Sequence, residues 1–105
     1  MDQALRLNGD FVAALRARLQ AFAGLIVEEV RTRTWRSANF QGARHELALR
    51  LEGTSAADDA DALLLTLAGE PLEVAGQIVA DLTLAADQRE PERVRVTLEA
   101  LTVCG

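Results

Sequence analysis

Hydrophobic positions along this chain follow two spacings in turn, that of a helix and that of a strand. Residues 10–23, DFVAALRARLQAFA, place Phe11, Val12, Leu15, Leu19 and Phe22 on one stripe at helical spacing, with Arg16, Arg18 and Gln20 on the other side. The pattern predicts an amphipathic helix, opened by Asn8 or Asp10 as N-cap and closed by Gly24 as the left-handed residue past its end. Residues 25–36 change to a period of two. Ile26, Glu28, Val30, Thr32 and Thr34 fall on one face, and Leu25, Val27, Glu29, Arg31, Arg33 and Trp35 on the other. Residues 37–43, SANFQGA, read as a connection, and residues 45–52 as a second strand with Leu47, Leu49 and Leu51 inward.

Ser55 and Asp58 then form a capping-box variant, with Asp where Glu or Gln is usual. They predict a second helix that buries Ala60, Leu63, Leu64 and Leu67 and stops at Gly69 and Pro71. Residues 77–85 read as a third strand with Ile78, Ala80, Leu82 and Leu84 on one face. Residues 87–92, which include Pro91, read as a polar turn. Residues 93–103 read as the last strand, with Val94, Val96, Leu98 and Ala100 inward. The order is helix-strand-strand twice, without convincing residue identity between the halves. Long strands apolar on one face and polar on the other predict an α+β fold of two layers. Its antiparallel four-stranded sheet carries two helices on one face, in the order α-β-β-α-β-β, as a single domain over residues 1–105.

Composition adds bounds. A chain of 105 residues buries roughly 65% of its unfolded surface and folds without disulfides or metal. Half of its residues are hydrophobic, which argues against a disordered chain. A net charge of −5 argues against sequence-independent DNA binding, which needs a basic footprint. There is no Lys: every basic residue is Arg, and with the many Ala residues this is what a biased base composition produces. The single cysteine, Cys104, leaves no intramolecular disulfide to form and suits a reducing compartment. No stretch has the length or apolarity of a signal peptide or membrane span, so a soluble chain made in the cytoplasm is expected.

The motifs of catalysis are absent: no P-loop, no dinucleotide glycine fingerprint, no GxSxG and no HExxH. His45 lacks an acid, nucleophile or metal partner at a useful spacing, and reads as a structural or surface residue. Asp58, Asp59 and Asp61 read as a helix start, where carboxylates oppose the dipole, and not as a metal cluster. Cys104 reads as a terminal strand residue. No enzyme, cofactor or metal is expected.

Charge is more informative than motif. Between positions 31 and 50 stand five arginines (31, 33, 36, 44 and 50) against one acid, Glu46, whereas between 52 and 92 stand ten acids against one base, Arg89. A domain with halves so opposed can dock head-to-tail on copies of itself, the heterologous geometry that closes rings or grows filaments. Arg and Trp are also enriched at interface hot spots. Arg31, Arg33, Trp35, Arg36, Phe40 and Arg44 are therefore the expected subunit or partner interface. The bland alternative is a solvated face whose guanidinium groups pair with acids of the same chain.

TRTWRSANFQGARHELALRLEG, with LEVAGQIVADLTL and RVRVTLEALTV after it, resembles a small phage-derived family of tail-completion or tail-terminator proteins. These occur in siphophage-like tails, prophages and gene transfer agents. The resemblance spans residues 10–103 and rests on element order and hydrophobic pattern. One departure is that AFAGLIVEEV joins the first helix directly to the first strand, where family members carry a longer Pro- and aromatic-containing segment. The resemblance implies a homo-hexameric ring at the head-proximal end of a tail tube. It would be made in the bacterial cytoplasm, assembled into the tail of a phage-like particle, and placed away from membranes. The ring would contact the tail tube protein, end its polymerisation and present a surface to the head-tail connector protein, with DNA only as passing cargo. The acidic excess would suit a channel that does not grip that cargo.

Two other readings compete. A small acidic protein-binding module, such as a secretion-chaperone-like dimer, would show an isologous interface with an apolar groove. An enzyme of small molecules would need convergent titratable groups around His45.

Overall fold

The computed structural model describes residues 2–105. Helix α1 spans Gln3–Arg18, strand β1 Leu25–Arg36 and strand β2 Gln41–Glu52. Helix α2 then spans Ala56–Ala68, strand β3 Gln77–Glu90 and strand β4 Arg93–Cys104. The four strands form one antiparallel sheet in the order β1-β2-β4-β3, so the last strand inserts between β2 and β3. Both helices pack on one face, α1 over β1 and β2, α2 over β2 and β4. This is the α+β, two-layer architecture expected from the periodicities.

The core is built from the positions that the spacing marks. Leu7, Phe11, Leu15 and Leu19 form the buried stripe of α1, and Ala56, Ala60, Leu63 and Leu67 that of α2. They meet Leu47, Leu49 and Leu51 of β2 and Val94, Val96, Leu98 and Ala100 of β4, all nearly inaccessible. Burying a side chain of this size stabilises by roughly 1.5–3 kcal/mol.

Boundaries differ from expectation in four places. Helix α1 starts at Gln3, with Asp2 accepting from the Ala4 N–H as cap. Asn8 lies inside the helix and donates sideways to the Val30 carbonyl (2.8 Å) and to Thr32 Oγ1 (2.9 Å). The helix ends at Arg18 with Leu19 as C-cap, so Gly24 is not its terminator. Ser55 sits at the N-cap of α2, but its hydroxyl donates to Asp59 Oδ2 (2.9 Å) and not to a helix N–H, so no capping box forms. Finally, both hairpins are longer and tighter than expected. Gln41, Gly42 and Ala43 belong to β2, and Asp87 to Glu90 to β3.

Three bulges set which face each edge strand presents. In β1 the extra residue is Glu28, where register passes from Val27 opposite Leu49 to Glu29 opposite Ala48. A bulge exchanges the faces beyond it. Leu25, Val27, Val30 and Thr32 therefore all turn toward the helices, in place of the unbroken alternation expected over residues 25–36. In β3 the extra residues are Ala80 and Ala85. Gln77, Val79 and Leu82 turn inward, and Ile78, expected in the core, stands 63% exposed on the opposite face.

His45 is part of this core. It is fully buried, and its ring stacks on Phe11 with centroids 4.1 Å apart. Gln77 donates its amide N–H to the Leu7 carbonyl (3.1 Å), so its oxygen faces His45 Nε2 at 2.9 Å. Only an N–H can meet that oxygen, which places the ring proton on Nε2 and leaves Nδ1 to accept from Thr32 Oγ1 (2.8 Å). Thr102 Oγ1 adds a second bond to the same oxygen at 2.8 Å. A continuous run of hydrogen bonds, each donated to the next member, passes from Asn8 through Thr32, His45 and Gln77 to the Leu7 carbonyl, and ties α1 to β1, β2 and β3.

Candidate interface on the helix-free sheet face

The face turned away from the helices is read most directly as rows across the four strands. The first row is Trp35, Gly42, Val103 and Ile78 in the order β1, β2, β4, β3. The second is Arg33, Arg44, Leu101 and Asp81, and the third Arg31, Glu46, Glu99 and Thr83. One end of the sheet is thus apolar across its full width, bordered by two arginines and one aspartate.

Trp35 and Gly42 are made for each other. A Cβ at position 42 would stand 1.9 Å from the Thr102 carbonyl oxygen and 2.9 Å from the indole Cζ2 of Trp35. Only glycine leaves room for the indole to lie across β2 while β4 pairs alongside it. The ring is half-buried, on the face away from both helices, and its Nε1–H is buried without an acceptor. An unpaired buried donor of this kind costs about 1–3 kcal/mol. Just beyond, at the tip of the β1–β2 hairpin, Phe40 stands 62% exposed. Ser37 Oγ, which accepts from the Phe40 N–H (3.2 Å), and the Ser37 N–H to Phe40 O bond (2.7 Å) hold that tip tight.

The arginines divide into two groups. Arg31 pairs with Glu29 on its own strand (2.8 Å), which holds the Glu29 carboxyl below the usual carboxylate range and raises Arg31 in turn. Arg50 pairs with Glu28 and Glu52, and Arg95 clamps the same Glu28 through two nitrogens at 2.9 and 3.2 Å. Arg33, Arg36 and Arg44 have no acidic partner among the described residues; Arg36 reaches only Gln41 Oε1 at 3.3 Å. Arg33 and Arg44 stand directly opposite each other in the ladder. Like charges so placed repel. The reading in which every arginine is neutralised within the chain therefore holds for Arg31 and Arg50 and fails for the other three.

Arg31, Arg33, Arg44 and Trp35 share the helix-free face, Arg36 lies at its end, and Phe40 caps the hairpin beside them. Arg31, Thr32, Arg33, Arg44 and Glu46 also line a cleft of about 210 Å³ along the β1–β2 hairpin. Sequence reasoning missed Ile78, Asp81, Leu101 and Val103. They join the patch only because β4 inserts between β2 and β3, which no local pattern announces.

The acids gather elsewhere. Asp58 and Asp59 occupy the first turn of α2, and Asp61 and Asp87 both bind Arg89 at about 3 Å, which raises that guanidinium further. No group of residues suited to hold a metal ion occurs among the described residues, and no helix there is long and apolar enough to cross a membrane. His45, buried under Phe11, offers no surface to a substrate.

No family model and no curated protein matches the chain. Among solved structures it is similar to a chain of the virion of a native gene transfer agent particle, with a TM-score of 0.64 and 14% identity over 100% of each chain. At that identity the likeness establishes a shared fold.

Proposed function

We propose that this chain is a structural protein of a phage-like particle, a tail terminator that closes into a collar on the head-proximal end of the tail tube. The observation that carries this reading is the full-length likeness to a chain of a gene transfer agent virion. The surface supports it independently. An apolar row, an exposed aromatic tip and three arginines without an acidic partner are features of a surface that gains from contact with another protein. The tip and first row would meet a neighbouring subunit or the tail tube protein. The opposite end of the sheet would face the head-tail connector protein, and DNA would pass as cargo.

The test is a tube-growth assay. The tail tube protein of the same particle is polymerised in vitro with and without a stoichiometric trace of this chain, and tube lengths are read by electron microscopy. Shortened tubes carrying a collar at one end are expected. Tube lengths unchanged at saturating amounts would overturn the reading.

A further inference from the structure

We infer that copies of this chain join edge to edge, β1 of one beside β3 of the next, so that the sheet runs unbroken from subunit to subunit. The inference deepens the collar reading and rests on its self-association. It starts from the two edges that the strand order leaves open. β1 and β3 contain no Pro, and the chain has no Lys, so the two residues that most often protect sheet edges are missing from both. Asn8 occupies one backbone acceptor of β1, at Val30. Beyond it, no side chain among the described residues is bonded to the backbone of residues 31–36 or of β3. Each edge also carries a protective bulge, at Glu28 in β1 and at Ala80 and Ala85 in β3, yet residues 31–36 of β1 are regular and only Ala80 interrupts the stretch of β3 that would face them.

Direction fits. Each neighbouring pair in the order β1-β2-β4-β3 is antiparallel, so β1 and β3 run opposite ways. Copies related by rotation about an axis along the strands keep their direction, and β3 of one then meets β1 of the next antiparallel. The same ladder that builds the domain can continue across the joint, without end, until the rotation closes it.

Chemistry fits as well, row by row. With no offset along the strands, the first row ends in Ile78 and resumes in Trp35 of the next copy, apolar against apolar. The second row ends in Asp81 and resumes in Arg33, acid against base. Both are exposed and both lack an ion-pair partner within the chain among the described residues. The joint thus gives a counter-charge to the Arg33–Arg44 pair, the one like-charged cross-strand pair of the basic patch. It also covers the 63% exposed Ile78 with the indole. Sliding either strand by two residues would set Arg33 against Ile78 or Thr83, so the charges fix the register.

Cross-linking with charge reversal tests the joint. In a Cys104→Ser background, Arg33→Cys with Asp81→Cys is oxidised mildly and run on a denaturing gel. Opposed residues in neighbouring strands lie within disulfide reach. A ladder of multiples is expected for the double variant and at most a dimer for either single one. Separately, Arg33→Asp or Asp81→Arg should weaken self-association at low salt by roughly tenfold or more, and the two together should restore it. Arg33 and Asp81 are both solvent-exposed, and circular dichroism verifies that each variant folds. An oligomer that forms without a ladder and ignores both reversals overturns the joint and leaves the collar reading intact. A wild-type chain that stays monomeric at high concentration and low salt overturns the joint. A laddering protein that fails to cap tubes keeps the joint and overturns the collar.

Discussion

His45 makes this protein acid-sensitive in the window where a histidine charges. It is the only histidine, fully buried, and burial lowers its pKa below the usual value of 6.5, with the Gln77 bond opposing in part. The sign follows from that direction. An unfolded chain takes up the proton near pH 6.5, whereas the folded one resists it. The stabilisation is therefore complete above about pH 7 and falls as pH drops below about 6.5, until the folded ring itself charges. Within that interval the slope is at most one proton, about 1.4 kcal/mol per pH unit. For a chain of this size the melting midpoint should fall by roughly 4–8 °C per kcal/mol. Differential scanning fluorimetry or calorimetry between pH 7.5 and 5.5 reads it directly. The control is His45→Leu, which strands Gln77 and Thr32 at a cost of about 2–4 kcal/mol but should leave the midpoint flat across the same interval. A wild-type midpoint that does not move, or a slope that survives in the variant, would refute the buried neutral Nε2–H ring.

Two further outcomes can be measured by chemical denaturation. Gly42→Ala drives a methyl into the Thr102 carbonyl and the Trp35 ring, and should cost about 3 kcal/mol or more, with loss of the Trp35 fluorescence environment. A cost under about 1 kcal/mol would mean that β4 and the indole stand farther off. Arg18 donates to the carbonyls of Thr66 (3.4 Å), Glu70 (2.7 Å) and Pro71 (2.8 Å), and so ties the end of α2 to α1. Arg18→Ala should lose about 1–2 kcal/mol, and Arg18→Lys should recover only part of it, since one ammonium cannot span that fork.

Much of this architecture is written in periodicity. The six elements, their order and the helix-covered face follow from where Leu and Val recur. The misses have physical causes. Helix α1 begins early because Leu7 continues the Phe11, Leu15, Leu19 stripe one turn upstream. Asn8, which reads as an N-cap, is tolerated inside the helix because it gains two bonds to β1. Gly42 reads as a turn residue, yet it serves close approach within a strand. His45 shares parity with Leu47, Leu49 and Leu51, a signal that marks it inward; its partners, from four other elements, could not be foreseen. The second half of β3, AADQRE, is polar enough to pass for a turn and is held as a strand by pairing with Val94 and Val96. For the interface, local sequence delivered the basic and aromatic members on the β1–β2 hairpin. Ile78 and Asp81 needed the strand order.

The extra residue at Glu28 has a consequence for how the chain tolerates change in length. Removing Glu28 alone would leave Val27 inward, Glu29 outward and Val30 inward, a regular zigzag with every later side chain keeping its present side. The loss would fall on the Arg50 and Arg95 contacts. The same excision anywhere from Ala43 to Leu51 would turn leucines out to water and arginines in. Shortening by one residue is thus survivable at one point of this hairpin, and ruinous a few steps farther along.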